Sequence, residues 1–167
     1  MIILVFGLPG SGKSWFARQL AKAMKADYVS SDALRMAMFT SRKYTDKEKS
    51  SVYSRMLLLA NNHIQQNKNL VLDATFYKRR FRNAFTRLPA KVIPIEIVAD
   101  EALIKERISK RRADSEADFA VYAHIKSDWE PMQEPHLILQ SGTGNLNAMI
   151  QTAIKSFSPD YDPSANQ

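Results

Sequence analysis

Cysteine is absent from the 167 residues, which excludes a disulfide framework and cysteine-ligated zinc or iron–sulfur centres. That absence fits a reducing, cytoplasmic setting. Histidine is scarce: His63, His124 and His136 stand apart, without ligand spacing, and read as structural or surface residues. No Ser–His–Asp pattern is present. No apolar run is long enough for a membrane: the first covers residues 1–6 and gives way to glycine-rich sequence, so it reads as a strand. There is neither an internal repeat nor a low-complexity block. Acid is outnumbered by base, 17 Asp and Glu against 24 Lys and Arg, for a net charge of +7. Such a balance favours polyanionic partners, although any protein that holds a polyphosphate needs local positive charge. The apolar fraction of 45% and charged fraction of 25% are those of one soluble globular domain with a real core.

The most informative stretch is Gly7-Leu8-Pro9-Gly10-Ser11-Gly12-Lys13-Ser14. An apolar, β-branched run precedes it, and a helical pattern opening with Trp15 follows. Strand, glycine-rich turn ending in Gly-Lys-Ser, and helix make a phosphate-binding loop. The glycines let successive backbone N–H groups converge on one anion, and the helix start adds its positive dipole end. Lys13 is placed to reach β- and γ-phosphates, and Ser14 to hold Mg²⁺. The expected nucleotide is ATP.

Further along, residues 13–26 read as the first helix, with Phe16, Leu20 and Met24 on one stripe. Residues 27–30 read as the second strand. Ser31 is the expected N-cap of a helix carrying Asp32 in its first turn and Arg35 one turn later. Residues 40–45 read as an exposed basic loop, in which Arg42, Lys43 and Tyr44 are candidates for contact with a nucleic-acid base or phosphate. Thr45 and Glu48 fit a capping box for a helix over 46–67, whose buried stripe is Val52, Met56, Ala60 and Ile64. Residues 69–73 form the third strand, ending in Asp73. A loop with Thr75, Phe76 and Tyr77 leads to a basic helix over 78–88, stopped by Pro89. Phe81 and Phe85 read as core; Phe76 and Tyr77 read as candidates for stacking on a base. Residues 91–98 read as the fourth strand, with Pro94 suggesting a bulge. A helix over 100–112 follows, then a loop in which Ser115 or Asp118 caps another helix reaching about Trp129. Residues 136–139 read as a fifth strand, 145–157 as a closing helix, and 158–167 as a loose tail. The domain is thus expected over 1–157, with a lid at about 107–128.

Five short strands alternating with helices are the signature of a parallel α/β sheet covered on both faces. Ligands of such sheets sit beyond the carboxyl ends of the strands. Four motifs fall there: the phosphate-binding loop, Ser31–Arg35, Asp73–Thr75, and the helix over 100–112. Asp73 is placed to support Mg²⁺, or else to cap the next turn. Asp32 is a candidate acceptor of a hydroxyl proton, or an ordinary first-turn aspartate. Arg35 reads as a substrate-phosphate ligand or a solvated arginine. Arg107, Arg111 and Arg112 read as a mobile arginine lid or a solvated basic face.

Taken together, Gly7–Ser14, Ser30-Ser31-Asp32-Ala33-Leu34-Arg35, Val71-Leu72-Asp73-Ala74-Thr75 with Arg79 or Arg80 beyond, and Glu106–Arg112 resemble the P-loop kinases related to polynucleotide kinase. The resemblance runs from about residue 1 to 140. It implies a P-loop NTPase fold with a five-stranded parallel sheet of order 2-3-1-4-5. It implies that the loop from Gly7 to Trp15, with Arg107 and Arg111, binds ATP. Asp32 becomes the general base, Lys13 and Arg111 stabilise the transferring phosphate, and Ser14 and Asp73 attend Mg²⁺. Arg35, Asp73, Thr75 and Arg79 are then on the acceptor side. Phe76-Tyr77-Lys78 departs from the RNA-repair members, and residues 112–122 look more like stand-alone bacterial kinases.

Three functions compete. One is an ATP- and Mg²⁺-dependent kinase of the 5′-hydroxyl of RNA or DNA. Another is the same chemistry on a small-molecule alcohol. The third is a nucleotide-binding switch or ATPase, which needs a water-positioning residue that Ala74-Thr75 does not supply.

Overall fold

The computed structural model describes residues 1–41, 43, 45–110 and 119–157. Arg42, Tyr44, Arg111, Arg112, the proposed caps Ser115 and Asp118, and the tail lie outside the described residues. The elements run β1 (Ile2–Phe6), α1 (Lys13–Met24), β2 (Asp27–Ser30), α2 (Ser31–Met38), α3 (Asp46–Gln65), β3 (Leu70–Asp73), α4 (Arg79–Thr86), β4 (Val92–Val98), α5 (Glu101–Ser109), α6 (Phe119–Ser127), β5 (Leu137–Gln140) and α7 (Leu146–Lys155). All four strand pairings are parallel, in the order β2-β3-β1-β4-β5. This is the P-loop NTPase fold expected from the sequence.

Side chains alternate across the sheet and build two cores. Ile2, Leu4, Phe6, Leu70 and Leu72 pack with Val52, Met56 and Ala60 of α3 and Phe81 and Phe85 of α4. Ile3, Val5, Val71, Ile95 and Ile97 pack with Phe16 and Leu20 of α1 and with α7. The central strand β1 is buried along its whole length. That burial explains its unbroken apolar sequence, since it has a helical layer on each side.

Several local expectations need correction. Pro94 makes no bulge: β4 stays in register with β1 from Ile2↔Val92 to Phe6↔Glu96. The Ile2 N–H donates to the Lys91 carbonyl, so odd-numbered residues of β4 face β1 and even-numbered ones face β5. Pairing with β5 begins only at Ile95↔Leu137. The missing N–H of Pro94 therefore points where no strand lies, and its absence costs no ladder bond. The N-cap of α2 is Ser30 rather than Ser31; its Oγ accepts from the N–H groups of Asp32 and Ala33. Thr45 caps α3 by accepting from the Glu48 N–H, but the box is not reciprocal. The Glu48 carboxylate turns to Arg35 Nη1 at 2.8 Å and the Lys43 N–H at 2.8 Å. A charge-assisted bond to a buried guanidinium outcompetes the neutral cap.

The basic helix α4 is mostly engaged within the protein. Arg82 is 2% exposed and donates to the carbonyls of Phe76 and Glu130. Arg80 pairs with Asp46, and Lys78 with Asp128 and Glu130. Phe76, expected to stack on a base, is fully buried against Tyr53 and Phe85.

Phe85 seals this cluster, so Phe85→Ala should cost about 3–5 kcal/mol through lost transfer energy and the cavity left behind. Urea denaturation of wild type and variant measures it; a cost near zero would mean the aromatic cluster is not tightly packed.

Candidate active site

The turn after β1 is shaped from behind by close contacts. A Cβ on Gly7 would lie 2.3 Å from the Ile97 carbonyl oxygen, so only glycine fits against β4. Gly12, at φ 95°, is the N-cap of α1 and has no side chain to cap with; the first N–H groups of α1 are left for an anion. Gly7, Leu8 and Ser11 take part by shaping the turn and are not in the cavity wall, whereas Pro9, Gly10, Gly12, Lys13, Ser14 and Trp15 are.

That cavity has a volume of about 410 Å³. Its wall brings Lys13 and Ser14 of α1 together with Asp32 and Arg35 of α2, and with Thr75 from the loop after β3. Asp32 is exposed in the cavity wall, in the first turn of the helix that Ser30 caps. Arg35 is 6% exposed and ion-paired to the buried Glu48. It reaches the cavity already half neutralised, rather than as a solvated arginine. Arg79 is exposed and absent from the wall; its N–H donates to Glu130 Oε2 at 2.6 Å.

Asp73 lies under the turn, 2% exposed. β3 puts it opposite Val5 of β1 and Ser30 of β2. Its Oδ2 accepts from the Tyr28 hydroxyl at 2.7 Å, a diagonal contact across the β2–β3 pair. Burial pushes the Asp73 carboxyl up; the Lys13 ammonium, the nearby Ser14 hydroxyl and the Tyr28 hydroxyl oppose the rise. Burial, reinforced by Asp73, pushes the Tyr28 hydroxyl up as well, so it remains a donor. Asp73 Oδ1 is buried without a hydrogen-bond partner. An orphaned carboxylate oxygen beside a serine hydroxyl and a lysine suits a Mg²⁺ held mainly by nucleotide phosphates. Among the described residues no cluster of three or more His, Cys, Asp and Glu offers an all-protein metal site.

Arg107 is in the wall, and its guanidinium is bonded to the phosphate-binding turn and to the loop after β5. Nη1 donates to the Ser11 carbonyl at 3.0 Å, to Ser141 Oγ at 3.1 Å and more distantly to the Gly10 carbonyl; Nη2 reaches the Gly142 carbonyl. The guanidinium clasps the outside of the phosphate-binding turn to the loop after β5. The partner on which the lid idea leaned, Arg111, is outside the described residues.

Sequence reasoning missed part of the wall. Arg18, Met36, Lys49 and Tyr53 line it, as does His124, whose sequence context reads as structural or surface; Tyr77, a stacking candidate from the sequence, is in the wall too. Tyr28 was also missed as the support of Asp73. The available signals were spacing alone: Arg18 is three residues after Trp15, and Tyr53 is four after Lys49, so each pair shares a helix face. Phe76, at φ 48°, strains the loop that presents Thr75 and Tyr77. Its N–H donates to Tyr53 Oη, its carbonyl accepts from Arg82, and its ring is locked in the core.

The AAA domain family matches residues 2–132, well over half of the chain. The chain belongs to that family. The match takes in the phosphate-binding turn, α2, Asp73 and the α5 arginine of this AAA domain. No curated protein matches it. Among solved structures, a sugar kinase from Janibacter sp. is 17% identical with a TM-score of 0.76, covering 99% of this chain and 98% of its own. A gluconokinase from Sinorhizobium meliloti is 18% identical, TM-score 0.69, over 92% and 89%. The Mycobacterium tuberculosis APS kinase in complex with AMPPNP and APS is 15% identical, TM-score 0.70, over 93% and 96%. At such identities the likeness establishes the fold of the AAA domain, in agreement with the sheet order above. It does not select the polynucleotide kinase branch. Among the described residues no helix is long and apolar enough to cross a membrane.

A carboxyl whose titration is raised by folding binds its proton more tightly in the folded state. Stability is therefore lost as pH rises from the unfolded-state value through the folded one. Nucleotide-free Asp73→Asn should accordingly melt above wild type at pH 7, with the gap closing as pH falls toward 4. Thermal scans across pH test this; a variant less stable at neutral pH would mean the charge is compensated in the empty protein.

Proposed function

We propose that this protein is an ATP- and Mg²⁺-dependent phosphotransferase that moves the γ-phosphate to an alcohol. The observation that carries the reading is one cavity of about 410 Å³ shared by Lys13, Ser14 and Asp32. A carboxylate facing a polyphosphate cradle has a use in transfer to a hydroxyl that a nucleotide switch would not need. The backbone N–H groups from Gly12 to Ser14 and the Lys13 ammonium hold the β- and γ-phosphates. Asp32 orients the acceptor hydroxyl and takes its proton as the oxygen bonds to the γ-phosphorus. The bond from that phosphorus to the bridging oxygen breaks, and ADP leaves. Ser14 and Asp73 attend Mg²⁺, which when bound supplies charge neutralisation on the phosphate oxygens. Thr75, with Tyr53 and Tyr77, lines the acceptor side.

A small acceptor is favoured over a polynucleotide. The wall beyond Asp32 is lined by side chains of α2, α3 and α6, including Met36, Tyr53 and Ile125. The basic helix that suggested nucleic acid has Lys78, Arg80 and Arg82 engaged internally. That two of the similar structures are of kinases of a sugar and of gluconate is consistent with this choice.

An acceptor screen with γ-labelled ATP, placing sugars, sugar acids and nucleosides beside 5′-hydroxyl oligonucleotides, should label a small alcohol. Label confined to the oligonucleotide would restore the polynucleotide reading, and hydrolysis without any labelled acceptor would remove transfer altogether. Asp32→Asn should lower turnover on the order of 10²- to 10⁴-fold with ATP affinity unchanged. Unimpaired turnover would dismiss Asp32 as the base.

A further inference from the structure

Among the described residues, Asp32 is the only acid in the cavity wall, against Lys13, Arg18, Arg35, Lys49 and Arg107. Most of those cations are engaged. Lys13 belongs to the phosphates of the proposed nucleotide, Arg107 clasps the turn, Arg35 is paired to Glu48 at 2.8 Å, and Arg18 lies 5.8 Å over the Tyr28 ring. Lys49 is differently placed. Its Nζ donates to Tyr77 Oη at 3.0 Å and sits 5.3 Å from the centre of that ring. Its Nζ lies 3.8 Å from Asp46 Oδ1, and the other oxygen of that carboxylate is held by Arg80 at 3.1 Å. Asp46 is largely exposed, so its attraction is screened by water. Lys49 also stands in the first turn of the twenty-residue helix α3, the end of a helix where a cation is disfavoured. A lysine at a helix position disfavoured for a cation, lining a cavity and braced by a buried tyrosine, breaks a local rule at the place where a ligand is proposed to sit.

Resting on the phosphotransferase reading, we propose that the acceptor alcohol carries an oxyanion, a carboxylate, phosphate or sulfate, and that Lys49 is the residue that reads it. Tyr77 holds the ammonium toward the cavity through its hydroxyl. Tyr77 is 5% exposed and its neighbour Phe76 is locked in the core, so the bracket is preorganised. The already paired Arg35 supplies a second, weaker pull from the same side. A neutral polyol would leave the Lys49 charge answered only by the exposed Asp46 and the Tyr77 hydroxyl, and so would be discriminated against.

Sulfate is the probe, titrated calorimetrically at fixed ionic strength into protein saturated with Mg²⁺ and AMPPNP, which fill the β- and γ-phosphate positions. Wild type should bind one sulfate. Lys49→Met should weaken that binding about tenfold or more, Tyr77→Phe by a smaller factor, and Arg55→Met, exposed on the same helix and outside the wall, not at all. Absence of binding by wild type, or equal binding by Lys49→Met, overturns the proposal. In parallel, labelled ATP is offered with glycerol, glycerate and glycerol phosphate, and with glucose and gluconate. Preference for the anionic member, with a KM raised about tenfold in Lys49→Met and kcat nearly kept, supports the assignment. Transfer to neutral members alone, indifferent to Lys49→Met, overturns it while leaving phosphotransfer standing. No labelled alcohol together with Lys49-dependent sulfate binding removes the phosphotransferase reading and keeps the anion site.

Discussion

A buried carboxylate under the phosphate-binding turn governs how the site is put together. Asp73 ends a strand flanked by β1 on one side and β2 on the other, so its side chain meets the turn after β1 and the tyrosine of β2. Taking that charge out of water is costly unless something answers it. Tyr28 answers one oxygen, and the other has no hydrogen-bond partner next to Ser14 and Lys13. The chain's own groups therefore leave an electrostatic deficit where a nucleotide with its metal is proposed to bind. Some stability is exchanged there for binding, as is common at functional sites.

Around that carboxylate the fold supplies walls with separate duties. Arg107 ties the back of the turn to the loop after β5, which fixes the anion cradle without occupying it. The Arg35–Glu48 pair ties α2 to α3, and Glu48 also holds the Lys43 N–H. α2, which carries Asp32, is thus anchored at both its cap and its buried arginine. The strained Phe76 loop is fixed from three directions and delivers Thr75 and Tyr77 to the cavity.

The sequence was legible where chemistry is local. The phosphate-binding turn, the strand-end Asp73 and the helix bearing Asp32 are each marked by neighbours within a few residues: glycines before Lys13, an apolar run before Asp73, serines before Asp32. Strand alternation with helices carried the sheet order through the resemblance. Where reasoning went astray, the competing partner was remote in the chain. Glu48 forsook its cap for Arg35, Arg82 turned inward to Phe76 and Glu130, and Arg107 reached back about a hundred residues. Charge runs read as solvated or nucleic-acid-facing surface were largely consumed by such long-range pairs.

What the chain alone determined, then, is the class of fold and the anion cradle, because periodicity and turn chemistry act over a few residues and survive any packing. Which arginines stay available for a ligand, which aromatics are core, and that Lys49 and Tyr77 meet beside Asp32, were decided only by tertiary structure. Those outcomes depend on burial and on distances between segments dozens of residues apart. A side chain's charge or ring has no fixed role until desolvation sets which partner it must find.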